Sequence, residues 1–180
     1  EPPHYALEKL NRNIELNPEL ASRITVTNSF ISDQENNNPD IKAYSSWKVD
    51  GSKEADKHDT HGGTAKSTDG VGSITLDAFC KQHDISKIDF IKIDTDGHEL
   101  NILKGAKDII NQHKPSIIFE IGMYLLDEQS IPFSDYADFF ESINCTMYHS
   151  VSGIVINREN YASHVPQRGT IDIIAIPKAQ

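Results

Sequence analysis

The chain is poor in cysteine, in cations and in long apolar runs, and each shortage excludes something. Its two cysteines, Cys80 and Cys145, are far apart and form no C-x-x-C pair, so neither a disulfide framework nor a zinc knuckle is indicated. Two buried thiols are the plain expectation. Lys and Arg total 17 against 27 Asp and Glu, a formal net charge of −10. Nucleic-acid binding depends on cations meeting phosphates, and anionic membrane surfaces attract the same residues, so neither partner is expected. No apolar stretch approaches the roughly 20 residues that span a bilayer. No basic, apolar, small-residue leader opens the chain. The expectation is a soluble, cytoplasmic protein. Glu1, followed at once by Pro2 and Pro3, reads as the start of a chain processed or cut from a longer one.

The 180 residues make one ordinary domain, 1–180, with enough apolar content for a single core. Leu7, Leu10, Ile14 and Leu16 recur at near-helical spacing and predict a helix over 5–17, with Pro18 as its stop. Ile24-Thr25-Val26-Thr27, continued by Phe30 and Ile31, predicts a strand over 23–32. From 34 to 72 polar residues dominate, which reads as an exposed insertion. Within it, 41–49 holds Tyr44 and Trp47 and could pair as a strand, whereas 50–72 has the composition of a loop. A brief extended piece at 73–76 and a short helix over 77–82 follow.

The run Ile88-Asp89-Phe90-Ile91 predicts a strand, and Leu100, Leu103, Ala106, Ile109 and Ile110 then recur at helical spacing over 98–113, until Pro115. Residues 116–122 are a second near-continuous apolar run, which predicts a strand covered on both faces and hence a parallel sheet. A helix over 133–143 and strands at 146–151, 153–156 and 171–176 complete an α/β order with a hairpin at its end. Between the first of these strands and its helix lies Lys92-Ile93-Asp94-Thr95-Asp96-Gly97-His98-Glu99. Open α/β sheets hold ligands outside the carboxyl ends of their strands, so carboxylates in this turn are candidate chemistry.

The run from Ile88 to Leu100, followed by Leu103-Lys104-Gly105-Ala106 and Pro115-Ser116-Ile117-Ile118-Phe119-Glu120, resembles the FkbM family of S-adenosylmethionine-dependent methyltransferases. Thr75-Leu76-Asp77, Glu1-Pro2, Leu10-Asn11-Arg12-Asn13 and Asn17 look like the same family's upstream signposts. The resemblance implies a Rossmann-like class I methyltransferase sheet and S-adenosylmethionine as cofactor. Two positions depart from the family pattern: Asp96 stands where Glu is usual, and His98 where a small residue is usual. By the resemblance, Glu1 ends the second strand and takes the cofactor's ribose hydroxyls, while the glycine-rich turn of the first strand does not precede it. The expectation is a domain lacking its first βα unit. Loss of that central strand would leave two open sheet edges, closed by rearrangement or by self-association.

The resemblance also implies a small-molecule acceptor whose hydroxyl is methylated, with a base or a divalent metal helping to remove its proton. Asp94 and Glu120 end two strands expected to be adjacent and parallel and so to face one crevice; given the resemblance, Asp94 is the candidate contact to the cofactor's methyl or amino group and Glu120 the candidate supporting carboxylate on the acceptor side. The plainer reading of Asp94 is a helix cap. Asp96 and Glu99 suit the positive end of a helix and read first as structural. His98 is a candidate base, its unperturbed pKa of about 6.5 allowing work near neutrality, although surface histidines are commoner than catalytic ones. Ser32 and Asp33, after a strand, could meet the cofactor's adenine or simply form a turn. His58 and His61, with Asp56 and Asp59, have metal-like spacing in a flexible polar setting, and no metal site is assigned.

Two rivals come from other classes. Asp94-x-Asp96-Gly97 resembles the nucleophile loop of haloacid-dehalogenase-like phosphatases, but His98 stands where Thr or Val is expected and no downstream acidic pair follows a strand. A non-catalytic remnant that only binds is the other. An EF-hand fails because Gly105 occupies the position of the bidentate Glu.

Overall fold

A computed structural model describes residues 1–37, 43–45, 63–66 and 68–178. Asp56, His58, Asp59 and His61, and most of the polar insertion, lie outside the described residues. The chain divides into two units, 1–74 and 75–180.

The first unit opens with α1 (His4–Glu15), as its apolar spacing predicts. Pro18 does end the helical run, and it also starts α2 (Pro18–Ala21), because a missing N–H and a fixed φ cost nothing at a first helical position. The strand expected over 23–32 shrinks to β1 (Phe30–Ile31). The alternating residues before it have no ladder partner among the described residues. Their polar groups meet the start of the chain, where the Glu1 ammonium donates to Thr27 C=O at 3.0 Å and Asn28 Nδ2 donates to Glu1 C=O at 2.7 Å. Strand propensity without a neighbour makes no strand. Next come β2 (Ala43–Ser45) and β3 (Thr64–Lys66), an antiparallel pair with Ser45 opposite Thr64. The reading of 50–72 as loop throughout is corrected by β3. β4 (Ser73–Ile74) then pairs parallel with β1.

The second unit begins with α3 (Leu76–Gln82), whose N-cap Thr75 accepts from Ala78 N–H through Oγ1 at 3.0 Å. β5 (Phe90–Ile93) follows. The single helix expected over 98–113 is two, α4 (Glu99–Lys104) and α5 (Lys107–His113), broken at Gly105 and Ala106. The break is held from upstream in the chain: Asp77 accepts from Asp108 N–H at 3.1 Å and Ile109 N–H at 2.9 Å, while its own N–H donates to Gly105 C=O at 2.9 Å. Asp77 therefore caps α5 although it belongs to α3. Asp77→Ala is expected to cost about 1–2 kcal/mol, read as a lower Tm with the far-ultraviolet spectrum retained. An unchanged Tm would contradict this role.

β6 (Ser116–Gly122) lies where its apolar run predicts. α6 (Met123–Gln129), α7 (Phe133–Ser142), β7 (Cys145–His149), α8 (Tyr161–His164) and β8 (Thr170–Pro177) complete the unit. The strand order is β5-β6-β8-β7, with β5 and β6 parallel and the other pairs antiparallel. The sheet is thus mixed, and β8 enters between β6 and β7. Residues 153–156 contribute only a bridge from Val155 to Tyr148. The expectation of two covered faces for β6 is also corrected, since Ile117, Phe119 and Ile121 are buried while Ile118 and Glu120 are partly exposed. Phe119 stacks on Tyr136 and Phe140 of α7, with ring centroids 5.7 and 5.1 Å apart. Such pairs contribute about 0.5–1.5 kcal/mol beyond the apolar area they bury.

Candidate active site

The site begins where β5 ends. In the parallel register Ile93 lies opposite Phe119, so Asp94 and Glu120, the next residue in each strand direction, stand at the same level. Asp94 is exposed and ion-paired with Lys92. The helix that follows does not start at Asp94: its N-cap is His98, so Asp94 is not that cap. Between them Asp96 and Gly97 take φ of 52° and 105°, and His98 N–H closes the turn on Thr95 C=O at 3.4 Å. A non-glycine residue at positive φ costs about 1–2 kcal/mol, and strain of this kind collects at functional sites. Space is a lesser constraint at Gly97: a Cβ there would lie 3.1 Å from Gln129 Cγ, a flexible side chain that would have to shift slightly.

Glu120 is half-buried and accepts from Thr170 Oγ1 at 2.6 Å. Burial pushes its pKa above the usual carboxylate value. The Thr170 bond opposes that shift, and the charges of Asp94, Asp96 and Asp172 add to it. Tyr124, two residues beyond the end of the acidic strand's site, is likewise raised by burial and then by Glu120 and Asp96. Glu99 is almost fully buried at 1% exposure, and burial raises its pKa against the hydrogen bonds it receives. For His98 burial lowers the pKa and outweighs the nearby Asp96, so the imidazole is neutral at neutral pH. A crevice between the strand ends and α6 is lined by Gly97, Glu99, Glu120, Gly122, Gln129 and Tyr136.

Asp94, Asp96, Glu120 and the turn carrying His98 are therefore gathered at one place in the second unit. The other cofactor candidates stand in the first unit. Ser32 is buried beyond β1 and donates to Asp33 Oδ1 at 3.1 Å, and both Asp33 and Glu1 are exposed. Sequence reasoning missed Thr170, Asp172 and Tyr124. The alternation of Thr170 and Asp172 along β8 was a usable signal, but the strand was read as beginning at Ile171. Among the described residues no group of three or more His, Cys, Asp or Glu is placed to hold a metal ion, and no helix is long and apolar enough to cross a membrane.

A family model described as the methyltransferase FkbM domain matches residues 2–148. The chain belongs to the FkbM methyltransferase family. Asp94, Asp96, His98, Glu99 and Glu120 all fall inside the matched span, whereas Thr170 and Asp172, which face Glu120 from β8, fall beyond it. No curated protein and no solved structure matches the chain. S-adenosylmethionine, which the FkbM family implies, is a cation with amino and hydroxyl donors. The exposed carboxylate of Asp94 is an acceptor of the kind those donors require.

Proposed function

We propose that this FkbM-family chain carries out S-adenosylmethionine-dependent O-methylation of a hydroxyl on a small molecule such as a sugar or a polyketide. The observation that supports this best is the pairing of Asp94 and Glu120 at one level of two parallel strands, with Glu120 carrying a raised proton affinity. The cofactor supplies a methyl group on a sulfonium, and for in-line displacement of this kind holding the two partners in place supplies most of the acceleration. Asp94 binds the cofactor's donor groups. Glu120 accepts the proton of the acceptor hydroxyl. A carboxylate with a raised pKa is the stronger base, and Thr170 holds its Oε1 in place. His98, kept neutral by burial, is the second candidate base.

Calorimetry with S-adenosylmethionine or its demethylated product tests the reading. Binding by the wild-type chain is expected, with the affinity falling about tenfold in Asp94→Asn, the loss of one charge-assisted hydrogen bond. Silence from a folded wild-type chain would instead favour a non-catalytic binding module. Magnesium-dependent phosphatase activity that disappears in Asp94→Asn would favour the haloacid-dehalogenase-like alternative.

A further inference from the structure

Charge alone does not explain how the acidic turn is built. Asp96 and Gly97 follow a left-handed course that disfavours any residue with a Cβ, and the one backbone bond across the turn is long at 3.4 Å. Another group has to hold it. Glu99 is the charged side chain among the buried polar residues described, at 1% exposure. Its Oε1 accepts from Thr95 N–H at 2.9 Å and from Thr95 Oγ1 at 3.0 Å.

A buried carboxylate is costly unless its lone pairs are met, and here the donors that meet them come from the turn itself. The carboxylate is thus the hub around which 95–99 is wrapped. The Thr95 N–H belongs to the peptide plane that follows Asp94, so fixing that N–H restricts the backbone that carries the Asp94 side chain. At a helix N-terminus open to water, a Glu would need none of this arrangement.

We propose that Glu99 is a positioning residue: its buried carboxylate, bonded to the amide and hydroxyl of Thr95, holds the left-handed course of Asp96 and Gly97 and so aims Asp94 at the cofactor. The inference rests on the reading of Asp94 as a cofactor contact. Glu99→Met keeps the side chain's length and its fit to a buried site but removes the oxygen that both Thr95 donors meet.

Hydrogen exchange and calorimetry with the demethylated cofactor, on the full chain, test it. In Glu99→Met the Thr95 amide should exchange about tenfold faster while β6 amides keep their protection, and the Kd should rise about tenfold. Asp94→Asn, added to Glu99→Met, should cost little more, because an unaimed carboxylate has little left to lose. Thr95→Val, which removes only the hydroxyl donor, should give the same changes in smaller measure, and it carries the test if Glu99→Met does not fold. Unchanged exchange at Thr95 overturns the inference. So does an unchanged Kd in a variant whose turn amides have lost protection, and in that case the role of Asp94 stands if Asp94→Asn alone weakens binding. Absence of binding by the wild type overturns the methyltransferase reading itself, and the inference with it.

Discussion

Glu120→Gln is expected to lower kcat by about 10²–10⁴-fold, the range for removal of a general base, with the cofactor Kd nearly unchanged. Gln preserves the volume and can still accept from Thr170 Oγ1, which is 2.6 Å from the carboxylate. What is lost is the ability to take a proton. The acidic limb of the kcat/KM profile should therefore vanish in the variant. If His98 were the base, that limb would survive Glu120→Gln and disappear in His98→Asn.

Stability supplies an independent readout with a definite sign. Burial, then the charges of Asp94, Asp96 and Asp172, raise the folded-state pKa of Glu120. The folded chain thus holds that proton more tightly than the unfolded one. The associated stability is complete below the unfolded carboxyl value and is lost as pH rises through the folded one. Glu120→Gln removes this loss, so its Tm relative to wild type should improve as pH rises above the ordinary carboxyl range, where the unfolded chain is already ionised and the folded one gives up its proton. A Tm difference independent of pH would contradict the raised pKa.

Gly122→Ala is expected to be the most damaging small change in the second unit. A Cβ at this position would lie 2.9 Å from the Gly169 carbonyl oxygen, 2.9 Å from Thr170 Cγ2 and 3.1 Å from Tyr124 Cε1. The nearest of these is backbone, which cannot swing aside. Overpacking of this kind costs about 3 kcal/mol at the upper end of its usual range, equivalent to a Tm lower by about 6–12 °C for a chain of this length. Because Gly122 separates Glu120 from Tyr124 and abuts Thr170, the variant should also lose the Thr170 bond to Glu120. Thermal melts and exchange at the β8 amides would check both, and a Tm within 2 °C of wild type, less than about 1 kcal/mol, would count against the packing argument.

The elements most legible in the sequence are those whose apolar pattern is complete within their own residues. Residues 116–122 form β6 as read, and α1, α3 and α7 lie within one or two residues of their apolar patterns. The elements that were misread depend on partners elsewhere. The strand over 23–32 contracted to Phe30–Ile31 because only those two residues find a ladder, on Ser73–Ile74. The helix over 98–113 divides because Asp77 offers a carboxylate to the amides of Asp108 and Ile109. α6 passed unrecognised between Gly122 and Pro132, since Met123–Gln129 is too short to repeat an apolar period convincingly.

For the site the same division holds. The order apolar strand, Asp94-x-Asp96-Gly97, helix, and then Pro115 before a second apolar strand ending in Glu120, placed the two carboxylates on neighbouring strands and named the family without any coordinates. Local sequence suffices for this because strand, turn and helix are dictated over a few residues, and parallel neighbours in a βα series follow from chain order. Only the folded chain decided that Glu99 is buried inside the turn, where helix-dipole reasoning gave it a structural role at the helix start and no burial. Only the folded chain brought Thr170 and Asp172 to Glu120 by inserting β8 between β6 and β7. Burial and antiparallel register are set by residues 50 positions away, and proton affinities follow from burial, so none of these could be read from the turn itself.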